Sequence, residues 1–495
     1  MSRRVGPAYA RAMSTDQAPS LADVGRYGRY LLRGMAQRAR SVDQPTLRSI
    51  IAEHLGTAVA ELPVAREQWP SYEHVNVQAA LDVVVSESPD ARVIGVTGHR
   101  HRGPFGIADL VGDDPNDPFG PRPGNLTRLA LPSGPGGATR ECMQAAVLLL
   151  RSGTARAALL LVGPDPDSGH AHVSVEVIAT VPGTAEDLGR RIRELALELN
   201  VYRGQVVSFG GSMFGERGSL LRFHERPTMT PEDLVLPAST FADLRRQVVG
   251  VARNSDRLRA AGQHLKRGLL LYGPPGVGKT HSVRYLVSEL TGTTVVELTG
   301  DTLHAIREAC SVARSLQPSM IVVEDVDLIA EERDRYGGQT PLLFTLLNEM
   351  DGLDEDADVV FLLTTNRADL LEPALASRPG RVDQAVHIDL PDRESRRRLV
   401  ELYRGSLEVD LSRLDTVLDR TERVTASFLK ELLRRSAVVA AERGDASGAA
   451  ADGALRVGAD DLDAALDDLL DTRNQMTRAV LGYSDAPPDE VGEGD

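Results

Sequence analysis

The feature that most constrains this chain is a run of eight residues, Gly273-Pro274-Pro275-Gly276-Val277-Gly278-Lys279-Thr280, set between an apolar stretch and a helical pattern. The stretch before it, Gly268–Tyr272, has the length and composition of a buried strand, and Lys279–Leu290 repeats apolar residues at helical spacing. The glycines let the backbone turn its N–H groups inward around an anion, and the helix that follows adds the positive end of its dipole. Lys279 supplies a slim point charge for phosphate oxygens, and the Thr280 hydroxyl can ligate Mg²⁺. With three lysines in 495 residues, the expected number of chance matches to such a motif is on the order of 0.003. A residue that the chain otherwise avoids stands where a point charge serves better than a guanidinium. ATP with Mg²⁺ is the expected ligand, with Gly273, Pro274, Pro275, Gly276, Val277, Gly278, Lys279, Thr280 and His281 forming its cradle.

The rest of the chain sets limits on what surrounds this loop. A hydrophobic share of 42% and a charged share of 26% are those of a globular protein. The longest apolar runs, such as Ala145–Leu150 and Ala157–Val162, are far short of the roughly 18 residues a spanning helix needs. The net charge of −15 gives no general basic footprint for nucleic acid. Two cysteines, Cys142 and Cys310, suit reduced core thiols in a cytoplasmic protein. The Arg-rich start could be a transit peptide, but a frayed tail or an upstream start codon is the expected reading, since Met13 also begins a plausible chain.

Five segments are expected. Residues 1–135 form an N-terminal accessory region, with a helix over Val75–Val85, a strand over Ala91–Val96 and a Gly/Pro-rich linker over Gly103–Gly137. Residues 136–232 form an α/β accessory domain, read as a helix over Arg140–Arg151, strands at Ala157–Val162 and Val173–Val181, a helix over Ala185–Leu199 and a closing hairpin. Residues 233–392 alternate strands and helices, which implies a parallel sheet covered on both faces. Residues 393–475 are helical, and the acidic tail 476–495 is expected to be disordered. The fold class is thus α/β, a phosphate-loop parallel sheet followed by a helical lid and preceded by an α/β accessory region.

Three further runs narrow the class. Ile321-Val322-Val323-Glu324-Asp325-Val326-Asp327 is an apolar strand closing in adjacent carboxylates. Leu362-Leu363-Thr364-Thr365-Asn366 ends another strand in an amide, and Arg378-Pro379-Gly380-Arg381 follows. Together with Leu346-Leu347-Asn348-Glu349-Met350-Asp351-Gly352 and the phosphate-loop form itself, these runs resemble the AAA ATPase family over about residues 235–475. The resemblance implies a ring, usually a hexamer, with ATP between neighbouring subunits. It also implies that Lys279 and Thr280 contact the nucleotide and Mg²⁺, and that Glu324 and Asp325 are the Walker B carboxylates, Glu324 on the metal side. By the same resemblance, Asn366 positions the attacking water, Arg378 and Arg381 act as arginine fingers toward the adjacent subunit, and the helical lid covers the base.

The chain departs from the family pattern at three points. The carboxylates stand as Glu324-Asp325, where the family has Asp then Glu. Six residues without an aromatic separate Gly300 from Arg307, where related proteins carry a longer loop with an aromatic that grips a threaded polypeptide. Ala376-Ser377 adds one residue before Arg378. No His-Glu-x-x-His occurs, which argues against a fused zinc protease. The expected function is ATP hydrolysis by a ring-forming protein that remodels a protein partner selected by residues 1–232. The alternative is a nucleotide-switched scaffold with little turnover. No nucleic-acid partner is expected.

Overall fold

The computed structural model describes residues 45–97, 105–112, 121–165, 169–210, 221–327, 342–369, 382–447 and 455–471. The Arg-rich start, Arg378, Arg381 and the acidic tail lie outside the described residues.

The N-terminal unit is a six-stranded antiparallel sheet with helices on both faces, accompanied by a separate two-stranded antiparallel ribbon. Its elements, in chain order, are α1 (Leu47–Leu55), β1 (Ala65–Pro70), α2 (His74–Ser86), β2 (Arg92–Thr97), α3 (Ile107–Gly112) and β3 (Arg122–Gly124). There follow β4 (Arg128–Pro132), β5 (Thr139–Met143), β6 (Ala145–Ser152), β7 (Ala155–Val162), β8 (His172–Ala179) and α4 (Thr184–Glu198). The strand order is β1-β8-β7-β6-β2-β3, and every pairing is antiparallel. Leu148, Leu150, Leu159 and Leu161 face α2 and α4, while Val147, Leu149 and Leu160 face α1 and α3. This double burial explains the unbroken apolar runs.

It also corrects the expected helix over Arg140–Arg151, which is β5 and β6. A short run that is apolar at every position carries neither period, so periodicity alone does not separate strand from helix. The Gly/Pro-rich stretch expected as linker holds α3, β3 and β4.

The second sheet has seven strands in the order β10-β9-β12-β13-β14-β11-β15. These are β9 (Val206–Phe209), β10 (Leu221–His224), β11 (Arg267–Tyr272), β12 (Thr294–Leu298), β13 (Ser319–Val323), β14 (Val359–Thr365) and β15 (Gln384–His387). All run parallel except β10, which pairs antiparallel with β9. Helix α5 (Lys279–Glu289) packs on one face with Val283, Leu286 and Val287, and α6 (Ile306–Ser315) and α7 (Leu342–Asp351) pack on the other. Strands β9 and β10 come from the stretch drawn as a separate accessory domain ending at 232, and the first sheet takes strands from both sides of residue 135. Neither boundary drawn from the sequence therefore coincides with a sheet. The guanidinium of Arg226 fastens this added edge by donating to the carbonyls of Gly204, Val287, Leu290 and Thr293.

The two units share a core. Tyr72, Val75 and Cys142 pack with Tyr202, Phe209, Ile306 and Cys310. The Tyr72 and Phe209 rings meet edge to face at 5.9 Å, and the Tyr202 hydroxyl donates to the Tyr72 carbonyl at 2.6 Å. The Val201 N–H donates to Asn76 Oδ1 at 2.9 Å, and Asn200 Nδ2 to Glu73 Oε2 at 3.2 Å. Burial raises the Glu73 carboxyl above its ordinary range.

The C-terminal segment is the expected helical layer, with α8 (Arg393–Arg404), α9 (Leu414–Arg420), α10 (Ala426–Ser447) and α11 (Ala459–Leu470) around Leu399, Val417, Phe428, Leu432 and Leu466. A two-residue parallel pairing of β16 (Glu408–Val409) with β17 (Arg456–Val457) joins the α8–α9 connection to the α10–α11 connection. Val235 packs against this layer, while its neighbours Leu234 and Leu236 pack with Val277 and Val283 under the phosphate loop.

Candidate functional site

The site forms where the central parallel strands end. Strand β11 is buried through Leu269–Leu271 and delivers the chain to Gly273. At Gly273 the backbone has φ 148°, and an added Cβ would sit 2.1 Å from the Ile388 carbonyl oxygen, just past β15. Only glycine passes this point. Val277 is buried among Val283, Leu286 and Leu271 and anchors the loop. Pro274 and Pro275 have no N–H to give, and Pro274 presents its carbonyl to Lys279. Helix α5 begins at Lys279 with no side-chain cap at Gly278. Its first backbone N–H groups are the uncapped donors that favour an anion.

Lys279 is 7% exposed, and its Nζ donates to the carbonyls of Gly273 and Pro274 and to Asn366 Oδ1, each at 2.8 Å. Burial lowers its pKa, and the charges of Asp325 and Asp327 oppose that shift. The lysine thus rests on acceptors within reach of the loop it completes. His281 stands on the same helix, with Nε2 against the Asp233 carbonyl at 2.9 Å, joining α5 to the segment that leads into the core. Gly276 accepts from the Ser427 N–H at 3.1 Å, so the start of α10 rests on the loop itself.

The carboxylates divide as their order in the chain suggests. Burial, the largest influence, raises the Glu324 pKa, and the Thr280 hydroxyl beside it opposes that shift. Its Oε1 is buried without a partner. A hydroxyl beside a carboxylate oxygen left unpaired is a pair of hard oxygen donors, and Mg²⁺ is typically held by one or two such protein groups plus phosphates and water. These residues fit that ion.

Asp325 is exposed and adopts φ 52°, a left-handed conformation that costs a non-glycine residue roughly 1–3 kcal/mol. Its N–H donates to Thr364 Oγ1 at 3.1 Å, and its Oδ1 accepts from Asn366 Nδ2 at 3.4 Å. The turn is held from behind by Asp327, which accepts from Thr365 Oγ1 at 2.8 Å and from the Asn366 N–H at 3.3 Å.

Lys279, Thr280, Glu324, Asp325 and Asn366 are therefore brought together, while Arg378 and Arg381 lie outside the described residues. Thr364, Asp327 and Ser427 complete the arrangement and were not singled out as site residues from the sequence. Asp327 carried a signal, a third carboxylate two positions after the pair. Thr364 and Ser427 carried none, because their roles come from tertiary contacts. Among the described residues no cluster of three or more His, Cys, Asp or Glu could hold a further metal ion, and no helix is long and apolar enough to cross a membrane.

Residues 269–390 match the model of the ATPase family associated with various cellular activities (AAA). The chain is 34% identical over 249 residues to the ATP-dependent zinc metalloprotease FtsH 2 of Sphaerobacter thermophilus, a match covering 47% of this chain and 38% of that protein. It is 32% identical over 234 residues to the ATP-dependent zinc metalloprotease FtsH of Thermus thermophilus, covering 44% and 37%. A third relative, FtsH 1 of Conexibacter woesei, is 29% identical over 313 residues, covering 57% and 47%. The chain thus spans less than half the length of these relatives. The phosphate loop, the carboxylates at the end of β13, the amide at the end of β14 and the family match over 269–390 agree, and the chain carries an AAA-type ATPase domain.

Proposed function

We propose that this chain binds ATP with Mg²⁺ through residues 273–281, hydrolyses it to ADP and phosphate, and works as a ring, a homo-hexamer, to remodel a protein partner. The observation that carries this reading is the meeting of Lys279, Asn366 and Asp325 beside an uncapped helix N-terminus, with Thr280 and Glu324 at its flank.

In this reading Lys279 exchanges the carbonyls of Gly273 and Pro274 for phosphate oxygens. Thr280 and Glu324 would hold the ion, which would supply charge neutralisation for the phosphates. Asp325 takes the proton of the attacking water, and Asn366 orients that water. Arg378 and Arg381 reach the γ-phosphate bound by a neighbouring subunit and stabilise charge developing there. The lid, seated on Gly276 through Ser427, transmits loop movement to α10. Residues 1–232 select the partner. The reading shares ATP dependence with these relatives and not their zinc-protease activity, since no His-Glu-x-x-His occurs in the 495 residues. A cytoplasmic protein that binds no nucleic acid is the setting this reading assumes.

A second reading, a nucleotide-switched scaffold with little turnover, is favoured by one feature. Asp325 is a methylene shorter than the Glu expected at that position and lies 3.4 Å from Asn366. Steady-state hydrolysis separates the two: turnover abolished by Lys279→Ala and Asp325→Asn supports the first, and ATP binding without turnover supports the scaffold. Size measurement with ATP tests the ring, which a monomer at all concentrations would rule out.

A further inference from the structure

Behind the proposed metal side of the site lies a second layer of charge, on β12 and α5. On β12, Val295 faces the α5 side of the sheet and Val296 and Leu298 face the other. Glu297 therefore points to the α5 side. On β13, Val322 faces α5 and pairs in register with Glu297, and the Glu324 N–H donates to the Leu298 carbonyl at 3.1 Å. Glu297 and Glu324 are thus diagonal neighbours on one face of adjacent parallel strands. Arg284 lies one helical turn beyond Thr280 on α5, on the same side of that helix. Among the described residues Arg284 has no carboxylate within 4.0 Å.

The added strands reach the same place. Glu297 pairs in register with Ser208 of β9, whose hydroxyl is 2.7 Å from His224 Nε2 of β10. The charges sense one another: burial raises the Glu297 carboxyl, His224 lowers it, Glu324 raises it and Arg284 lowers it. Arg284 also acts on Glu324 in the same sense.

We propose that Glu297 and Arg284 are an opposed pair of positioning charges behind Glu324, which set how tightly the Thr280–Glu324 end of the site holds Mg²⁺. The proposal rests on the reading of that end as the metal side. Two carboxylates on one face would over-attract the cation and repel each other, and a guanidinium one turn along α5 balances them. A Glu at position 324, one methylene longer than Asp, extends from the strand end toward Thr280 and has this second layer directly behind it. Strands β9 and β10 thereby bring Ser208 and His224 from outside the 269–390 match to the edge of the nucleotide site.

The test is a Mg²⁺ titration of the full chain at fixed ATP, read as thermal stabilisation rather than turnover. Removing one unit charge from the layer behind a divalent ion in partly screened surroundings is expected to shift its affinity about two- to tenfold. Glu297→Gln is expected to raise the Mg²⁺ midpoint by that factor, Arg284→Gln to lower it, and the double variant to return near the wild-type value. Glu297→Asp, which keeps the charge, should restore most of the affinity.

A merely structural role gives shifts of one sign in both single variants, or none, and either result overturns the proposal. If Glu297→Gln fails to fold, the sign of the Arg284→Gln shift decides alone. Wild-type protein that gains no stability from ATP with Mg²⁺ would instead remove the parent reading, an outcome visible before any variant is made.

Discussion

Replacing Gly273 by alanine isolates the close approach on which the phosphate loop depends. The new Cβ would lie 2.1 Å from the Ile388 carbonyl oxygen, so the contact must open by about 0.9 Å to reach the 3.0 Å that real side chains respect. Neither partner yields easily, because both are backbone and the Ile388 N–H is bonded to the Tyr272 carbonyl at 2.8 Å. The residue also sits at φ 148°, which adds strain of roughly 1–3 kcal/mol for any side chain. With the forced shift, the expected loss is about 2–4 kcal/mol. A loop displaced by about an ångström should also cost around a hundredfold in turnover.

Gly278→Ala is the internal control for stability. It has φ 109° but open space around its Cβ, so it bears the conformational cost alone, about 1–2 kcal/mol. Urea unfolding followed by circular dichroism, with ATP hydrolysis measured on the same preparations, compares the two. Equal stability of the two variants would refute the claim that the Ile388 carbonyl holds the loop in place.

Two further outcomes are expected. Tyr202→Phe removes the hydroxyl that donates to the Tyr72 carbonyl within the shared core, and denaturant unfolding should show a loss of about 1–2 kcal/mol; no change would mean that the two units are not held by this contact. In the lid, hydrogen bonds from Arg434 hold the Glu431 carboxyl down at about 2, with Arg435 adding to the effect. Its folded pKa lies below its ordinary value of 4.5, so the stability it contributes is present above that pH and is lost as pH falls toward 2. Wild-type and Glu431→Gln unfolding curves should differ by about 0.5–1 kcal/mol at neutral pH and converge in acid; curves that stay parallel across that range would contradict the assignment.

Much of the nucleotide domain was legible because each strand is a short apolar run closed by a chemically marked residue: Tyr272 before the glycines, Val323 before Glu324, Thr365 before Asn366. Local pattern and site chemistry coincide there. The misreadings lie where local pattern is silent. Ala145–Leu150 is apolar at every position because both faces of β6 are covered, and nothing in the run itself reveals that. The hairpin of β9 and β10 was visible as a hairpin, but its sheet was not, since a parallel partner such as Val295 lies some ninety residues away. The same holds at the site, where the Gly273–Ile388 approach and the Lys279–Asn366 hydrogen bond join residues far apart in the chain.

The most direct test of the central claim is steady-state ATP hydrolysis, with nucleotide binding measured in parallel on wild type, Lys279→Ala and Asp325→Asn. The account predicts turnover in the wild type, loss of both binding and turnover in Lys279→Ala, and loss of turnover with binding retained in Asp325→Asn. Full wild-type turnover in Asp325→Asn would contradict the role given to that carboxylate, and a wild-type chain that binds no ATP would contradict the account as a whole.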